Sequence, residues 1–117
     1  MSDKVIDLEE VLERVQEDKE LLLELFEIFS NDYTAKMQTL KTAITEKNFE
    51  VIKDVIHSIK GAAGNISAKA VHSTCMNIEH LSAGKDLAGI QNAVSVLEQN
   101  FKVLQVRMAE IKKEFGS

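Results

Sequence analysis

Val55-Ile56-His57-Ser58-Ile59-Lys60-Gly61-Ala62-Ala63-Gly64-Asn65-Ile66 carries two patterns at once. Ile52, Val55, Ile56, Ile59, Ala63 and Ile66 step at helical spacing along one face. His57, Lys60, Gly61 and Gly64 share another, because a helix of 3.6 residues per turn stacks positions three, four and seven apart. A helix over about 49–65 therefore buries its isoleucines and turns the histidine to water. Two glycines on a water-facing stripe need a reason, since each costs ~1 kcal/mol relative to alanine.

The periodicity continues on both sides. Towards the C-terminus, Ala68, Val71, Cys75, Ile78 and Leu81 predict a helix over about 68–83, with Ser67 as its N-cap. Ser82-Ala83-Gly84-Lys85-Asp86 is the clearest turn, and Gly84 suits a helix C-terminus. Leu87, Ile90, Val94, Leu97, Phe101, Leu104, Met108, Ile111 and Phe115 then alternate three and four apart, predicting a helix over about 87–114. That stripe is also a coiled-coil pattern.

Towards the N-terminus, Lys47-Asn48-Phe49 marks a break, with Asn48 as the cap of the histidine helix. Leu22, Leu25, Phe26, Phe29, Tyr33, Met37, Leu40 and Ile44 predict one long helix over about 19–46, capped by Asp18. Leu21 and Ile28 fall beside its stripe. They either pack under a neighbouring helix or belong to a docking patch. Asp7 and Glu10 have capping-box spacing at the start of a short helix over about 7–16, striped by Leu8, Val11, Leu12 and Val15. A helix this short is not stable alone and needs a larger body to cover. The expected fold is all-α: an antiparallel four-helix bundle with a short additional N-terminal capping helix, in one domain spanning 1–117.

Composition agrees and narrows the function. The chain of 117 residues is 44% hydrophobic and 28% charged, and it has no proline. Its net charge of −5 argues against general nucleic-acid binding, which uses a clustered positive surface. No apolar run approaches the ~18 residues of a membrane span. The acidic N-terminus has no leader pattern, and the single Cys75 suits a reducing compartment, so a cytoplasmic location is expected.

The chain has no phosphate-binding G-x-x-x-x-G-K-[ST] loop, no G-x-G-x-x-G after a strand, no H-E-x-x-H and no G-x-S-x-G elbow. His72, Cys75 and His80 share a predicted helix but spread over two turns, which does not close around one ion, so no metal site is expected. His57 is different. Lys60 and Lys53 place ammonium groups one turn to either side of it. Gly61 strips the surface just beyond the ring, so a large partner can approach. Gly64 does the same or only loosens the helix end. An exposed neutral imidazole is a nucleophile, and a group stabilised on it by an adjacent ammonium is anionic. Phosphoryl is the natural candidate. With no nucleotide cradle of its own, the chain must receive that group already activated on a partner.

The segment His57-Ser58-Ile59-Lys60-Gly61-Ala62-Ala63-Gly64-Asn65-Ile66-Ser67-Ala68 resembles the motif of histidine-containing phosphotransfer (HPt) domains. The likeness extends to Glu20-Leu21-Leu22-Leu23-Glu24-Leu25-Phe26 and to the two-helix tail. Two positions depart from the family pattern: Ile56, where alanine is frequent, and Ser67, where glycine is usual. The resemblance implies a multistep phosphorelay intermediate that takes phosphoryl from a receiver-domain aspartate and passes it to another receiver. His57 would carry the group on the ring nitrogen far from the backbone. Lys60 would stabilise its charge, and Gly61 would leave room for the receiver. Gly64, Lys53, Asn65, Leu21 and Ile28 are the further docking candidates.

The resemblance also implies no kinase activity of its own and no resident cofactor, with Mg²⁺ supplied by the receiver. The partners implied are receiver domains and a hybrid sensor kinase, with the chain itself a monomer. The ends of the chain suit a stand-alone protein and a module of a hybrid kinase alike. Two rivals stand beside this reading. One is a bundle that docks receivers without being phosphorylated. The other is a structural helical oligomer seamed along the last helix.

Overall fold

The computed structural model describes residues 5–116. Among the described residues five helices follow one another: α1 Leu8–Arg14, α2 Lys19–Thr45, α3 Phe49–Asn65, α4 Lys69–Ala83 and α5 Leu87–Gly116. The last four form the antiparallel four-helix bundle, each packing on the next while α5 closes back on α2. Boundaries match the sequence periodicity to within two residues for these four. α1 is shorter than the expected 7–16, ending at Arg14.

Helix starts follow the predicted caps at three places. Asp7 Oδ1 accepts from the Glu10 amide at 3.0 Å, Asp18 Oδ1 from Leu21 at 3.0 Å, and Asn48 Oδ1 from Val51 at 3.2 Å. Each satisfies an amide that the first turn leaves without a helical partner. Asp86 does the same for α5, accepting from Gly89 at 2.9 Å. Ser67 does not cap α4. The cap position belongs to Ala68, which has no side-chain hydrogen bond to offer, and the Ser67 hydroxyl instead donates to Glu10 Oε1 at 2.6 Å.

Gly84 stands at the C-terminus of α4, as expected, as its C-cap with φ −86, an ordinary helical value, and the left-handed residue is Lys85 at φ 54. The amides of Lys85 and Asp86 then reach back to Ser82 and Leu81 at 3.1 and 3.0 Å, which is the Schellman closure. The same closure ends α2 at Lys47 and α3 at Ser67. No glycine in the described residues takes positive φ. These turns are held against the ordinary conformational preference of their side chains.

The core is the predicted one. Leu22, Leu40, Ile52, Ile56, Ile59, Ile78, Leu97 and Leu104 are essentially sealed from solvent. The heptad stripe of α5, from Ile90 through Ile111, is buried against the chain's own helices. Helix length explains α1. α2 and α5 have 27 and 30 residues, but α3 and α4 only 17 and 15. At about 1.5 Å per residue the shorter pair leaves one end of the longer pair uncovered. Ile6 and Val11 fill that end, and α1 is stapled to the α3–α4 connection. The Asp7 amide donates to the Ser67 carbonyl at 2.9 Å, Arg14 Nη1 to the Gly64 carbonyl at 2.9 Å, and Lys69 Nζ pairs with Glu10 at 2.9 Å.

Lys85→Gly tests the left-handed closure. Removing the Cβ from a φ-positive exposed site is expected to stabilise the fold by ~0.5–1 kcal/mol in chemical denaturation. A loss of stability would contradict the strain assigned to this turn.

Candidate functional site

α3 presents the site, and α4 completes it. The isoleucines of α3 pin one face in the core, so His57 projects outward with its side chain 70% exposed. Glu79 on α4 reaches across to it, with Oε2 lying 3.0 Å from His57 Nδ1. The other oxygen, Oε1, lies 2.6 Å from Lys60 Nζ. One carboxylate thus holds both residues singled out from the sequence. Glu79 itself is only 18% exposed, and Lys60 25%.

Burial pushes the Glu79 carboxyl towards neutrality, but hydrogen bonds from Lys60 and His57, and their charges, outweigh it. The net effect holds the group below the ordinary glutamate value. Glu79 is therefore an ionised acceptor with no proton to give. A neutral imidazole must then place its proton on Nδ1 to make this hydrogen bond. That leaves the lone pair on Nε2, the nitrogen far from the backbone, facing water. Lys60 has three ammonium donors and spends one on Glu79, leaving donors for an anion that arrives at Nε2.

The rim of the site comes from three helices. A Cβ on Gly61 would meet nothing within 4 Å, so the surface beyond the ring is open. Gly64 differs from the expectation of a water-facing glycine. It is half-buried, a Cβ there would lie 3.5 Å from His72 Cδ2, and its carbonyl is taken by Arg14. Lys53 and Asn65 are exposed on α3. On α4, half-exposed Met76 lies one turn before Glu79. On α2, Lys36 bonds both Asp32 and Ser58, the neighbour of His57. Ile28, 62% exposed, follows from Lys36 and Asp32 at four-residue steps, placing it on the α3-facing flank of α2. Leu21, 39% exposed, lies two turns beyond. Both stand among the exposed large hydrophobic residues.

The other candidate ligands do not converge. Cys75 is buried, and burial, with the Glu79 charge adding, pushes its thiol up to about 12. His72 sits over Gly64. Among the described residues no three His, Cys, Asp or Glu side chains are placed to hold one metal ion.

The family model of the Hpt domain matches residues 24–112. The chain belongs to the Hpt domain family. It is a histidine phosphotransfer module of the phosphorelay type, in a family of phosphocarriers rather than kinases. The matched span runs from within α2 almost to the end of α5 and leaves α1 outside. Among solved structures the fold is similar to histidine-containing phosphotransfer protein B (HptB) from Pseudomonas aeruginosa PAO1, with TM-score 0.85 at 19% identity over 94% of this chain and 96% of that one. It is also similar to the histidine-containing phosphotransfer protein ZmHP2 from maize, with TM-score 0.82 at 20% identity over 98% and 90%. At these identities the likeness is one of fold. A search of curated proteins found no match. No helix of the described residues is long and apolar enough to cross a membrane.

Glu79 was not visible from the Hpt motif stretch, because it lies 22 residues away on another helix. The short turn between α3 and α4 makes them run antiparallel, but only the register of the closed bundle brings Glu79 to the histidine.

The ionised state of Glu79 predicts the pH behaviour of the site. A carboxyl depressed in the folded state contributes stability above its unfolded value and loses it as pH falls through the folded one. The His57–Glu79–Lys60 contact is thus expected to hold from neutral pH into acid beyond the ordinary glutamate range. A carbon-13 NMR titration of the Glu79 carboxyl should give a midpoint below that of glutamate in an unstructured peptide. An equal or higher midpoint would show that the shared contact is not formed.

Proposed function

We propose that His57 is the phosphoryl carrier of this module, taking the group from the aspartyl phosphate of one receiver domain and passing it to the aspartate of another. The observation that carries this reading is the shared carboxylate. Glu79 holds Nδ1 and Lys60 together, so the free lone pair of Nε2 and an ammonium group share one open face.

The transfer balances on this geometry. The Nε2 lone pair forms a bond to phosphorus while the bond from phosphorus to the receiver's aspartate oxygen breaks, returning that residue as a carboxylate. The phosphorylated ring keeps its Nδ1 proton and becomes a cation, which Glu79 stabilises. Lys60 meets the phosphoryl oxygens with its remaining donors. Transfer to the next receiver reverses these changes. Mg²⁺ belongs to the receiver, where it offsets the charge of the acyl phosphate. Gly61 keeps the approach open, and Ile28, Leu21, Lys53 and Asn65 border the face on which the receiver docks. Gly64 serves instead as the anchor of the Arg14 staple.

Incubation with a phosphorylated receiver and Mg²⁺ should give acid-labile, base-stable label on the wild type and none on His57→Gln. No label from several receivers, or equal label on the variant, would refute the proposal. Lys60→Ala is expected to slow transfer about tenfold or more, the order of losing one charge-stabilising donor.

Gly61 separates docking from folding. Gly61→Ala should stabilise the helix by ~0.5–1 kcal/mol, since the added Cβ meets open space. Gly61→Trp should remain folded yet transfer more slowly. Unchanged stopped-flow transfer rates in the tryptophan variant would remove the clearance role of this residue.

A further inference from the structure

The seam between α2 and α5 is the thinly covered side of the bundle. Core residues along it, such as Phe26, Phe101 and Met108, keep 5–6% exposure, whereas Ile52, Ile56, Ile78, Leu97 and Leu104 on the other seams keep none. A groove of about 570 Å³ opens there, floored by Phe26 and Met108. Glu20, Glu24 and Glu27 line its α2 wall at steps of four and three, which places three carboxylates in one row. None of the three has an ion-pair partner among the described residues. The opposite wall is low at Ala109, and among the described residues lining it Lys112 is the one cation.

We propose that this groove docks a basic amphipathic helix from a partner protein. Its apolar face would cover Phe26, Met108 and Ala109, and its Lys or Arg side chains would pair with the glutamate row. Helix-in-groove recognition uses this combination of an apolar floor and a charged edge. Methionine in the floor adapts to the side chains presented to it. The groove lies on the flank of α2 that faces α5, while Lys36 reaches α3 from the other flank. The module can therefore be held here while His57 stays open to a receiver. The binding is independent of phosphorylation.

The probe is a labelled helical peptide of about 18 residues with leucine on one face and lysine on the other, beside a leucine/glutamate counterpart. The lysine peptide should bind in fluorescence anisotropy and shift the amide signals of residues 20–31 and 105–112 in NMR. The glutamate peptide should not bind. The triple variant Glu20→Lys, Glu24→Lys, Glu27→Lys should weaken binding about tenfold or more. A control triple of identical net charge, Glu13→Lys, Glu46→Lys, Glu50→Lys, should change it less than about twofold. Ala109→Trp, which fills the groove without touching charge, should also weaken it, with transfer to His57 unchanged. Equal loss in the control triple, amide shifts centred on His57, no binding, or a dimer in sedimentation that Ala109→Trp abolishes would each overturn the proposal.

Discussion

The register of α3 against α4 governs the chemistry of this molecule. His57 faces Glu79, and seven residues nearer the turn on each helix Gly64 faces His72. That pairing is set by a connection of three residues, in which Ser67 takes a left-handed φ of 57 and its amide and that of Ala68 close back on Gly64 and Ala63. A shift of one residue would rotate Glu79 about 100° around α4 and separate it from both partners. The polar staple from α1 bears on the same connection. The Ser67 carbonyl receives the Asp7 amide, its hydroxyl reaches Glu10, and Arg14 donates to the Gly64 carbonyl near the end of α3. The short N-terminal helix thus braces the turn that sets the site, as well as covering the end of the core.

This gives the departure at Ser67 a physical meaning. The position requires a conformation that glycine adopts without strain. Serine occupies it at a conformational cost and offers in return a hydroxyl for Glu10, which also pairs with Lys69. Those bonds hold the Glu10 carboxyl below the ordinary range, the Ser67 hydrogen bond contributing most. The chain trades backbone ease at the turn for a polar link to α1, a helix that lies outside the matched family span.

The two flanks of α2 face different surroundings. One carries Lys36, Asp32 and Ile28 alongside α3 and frames the histidine face. The other carries the row of Glu20, Glu24 and Glu27, which has no ion pair among the described residues, above the thin seam with α5. A long helix can serve two surfaces in this way because it presents about 3.6 directions per turn and the core claims only one side. Exposed Ile28 and the thinly covered floor at Met108 belong to different surfaces.

Much of the fold was legible because it follows from local periodicity. The stripes of α2 and α5, the isoleucine face of α3, and the caps Asp7, Asp18 and Asn48 depend on residues three or four apart, so the chain alone determines them. His57, Lys60 and the clearance at Gly61 were legible for the same reason, since they share a single helix. Contacts between helices were not. Spacing on α3 cannot show that Glu79 joins His57 to Lys60, that Ser67 turns left-handed instead of capping α4, or that Arg14 takes the Gly64 carbonyl. Those depend on which helices meet and in what register, and the short turns and the filling of one shared core decide that only when the whole bundle closes.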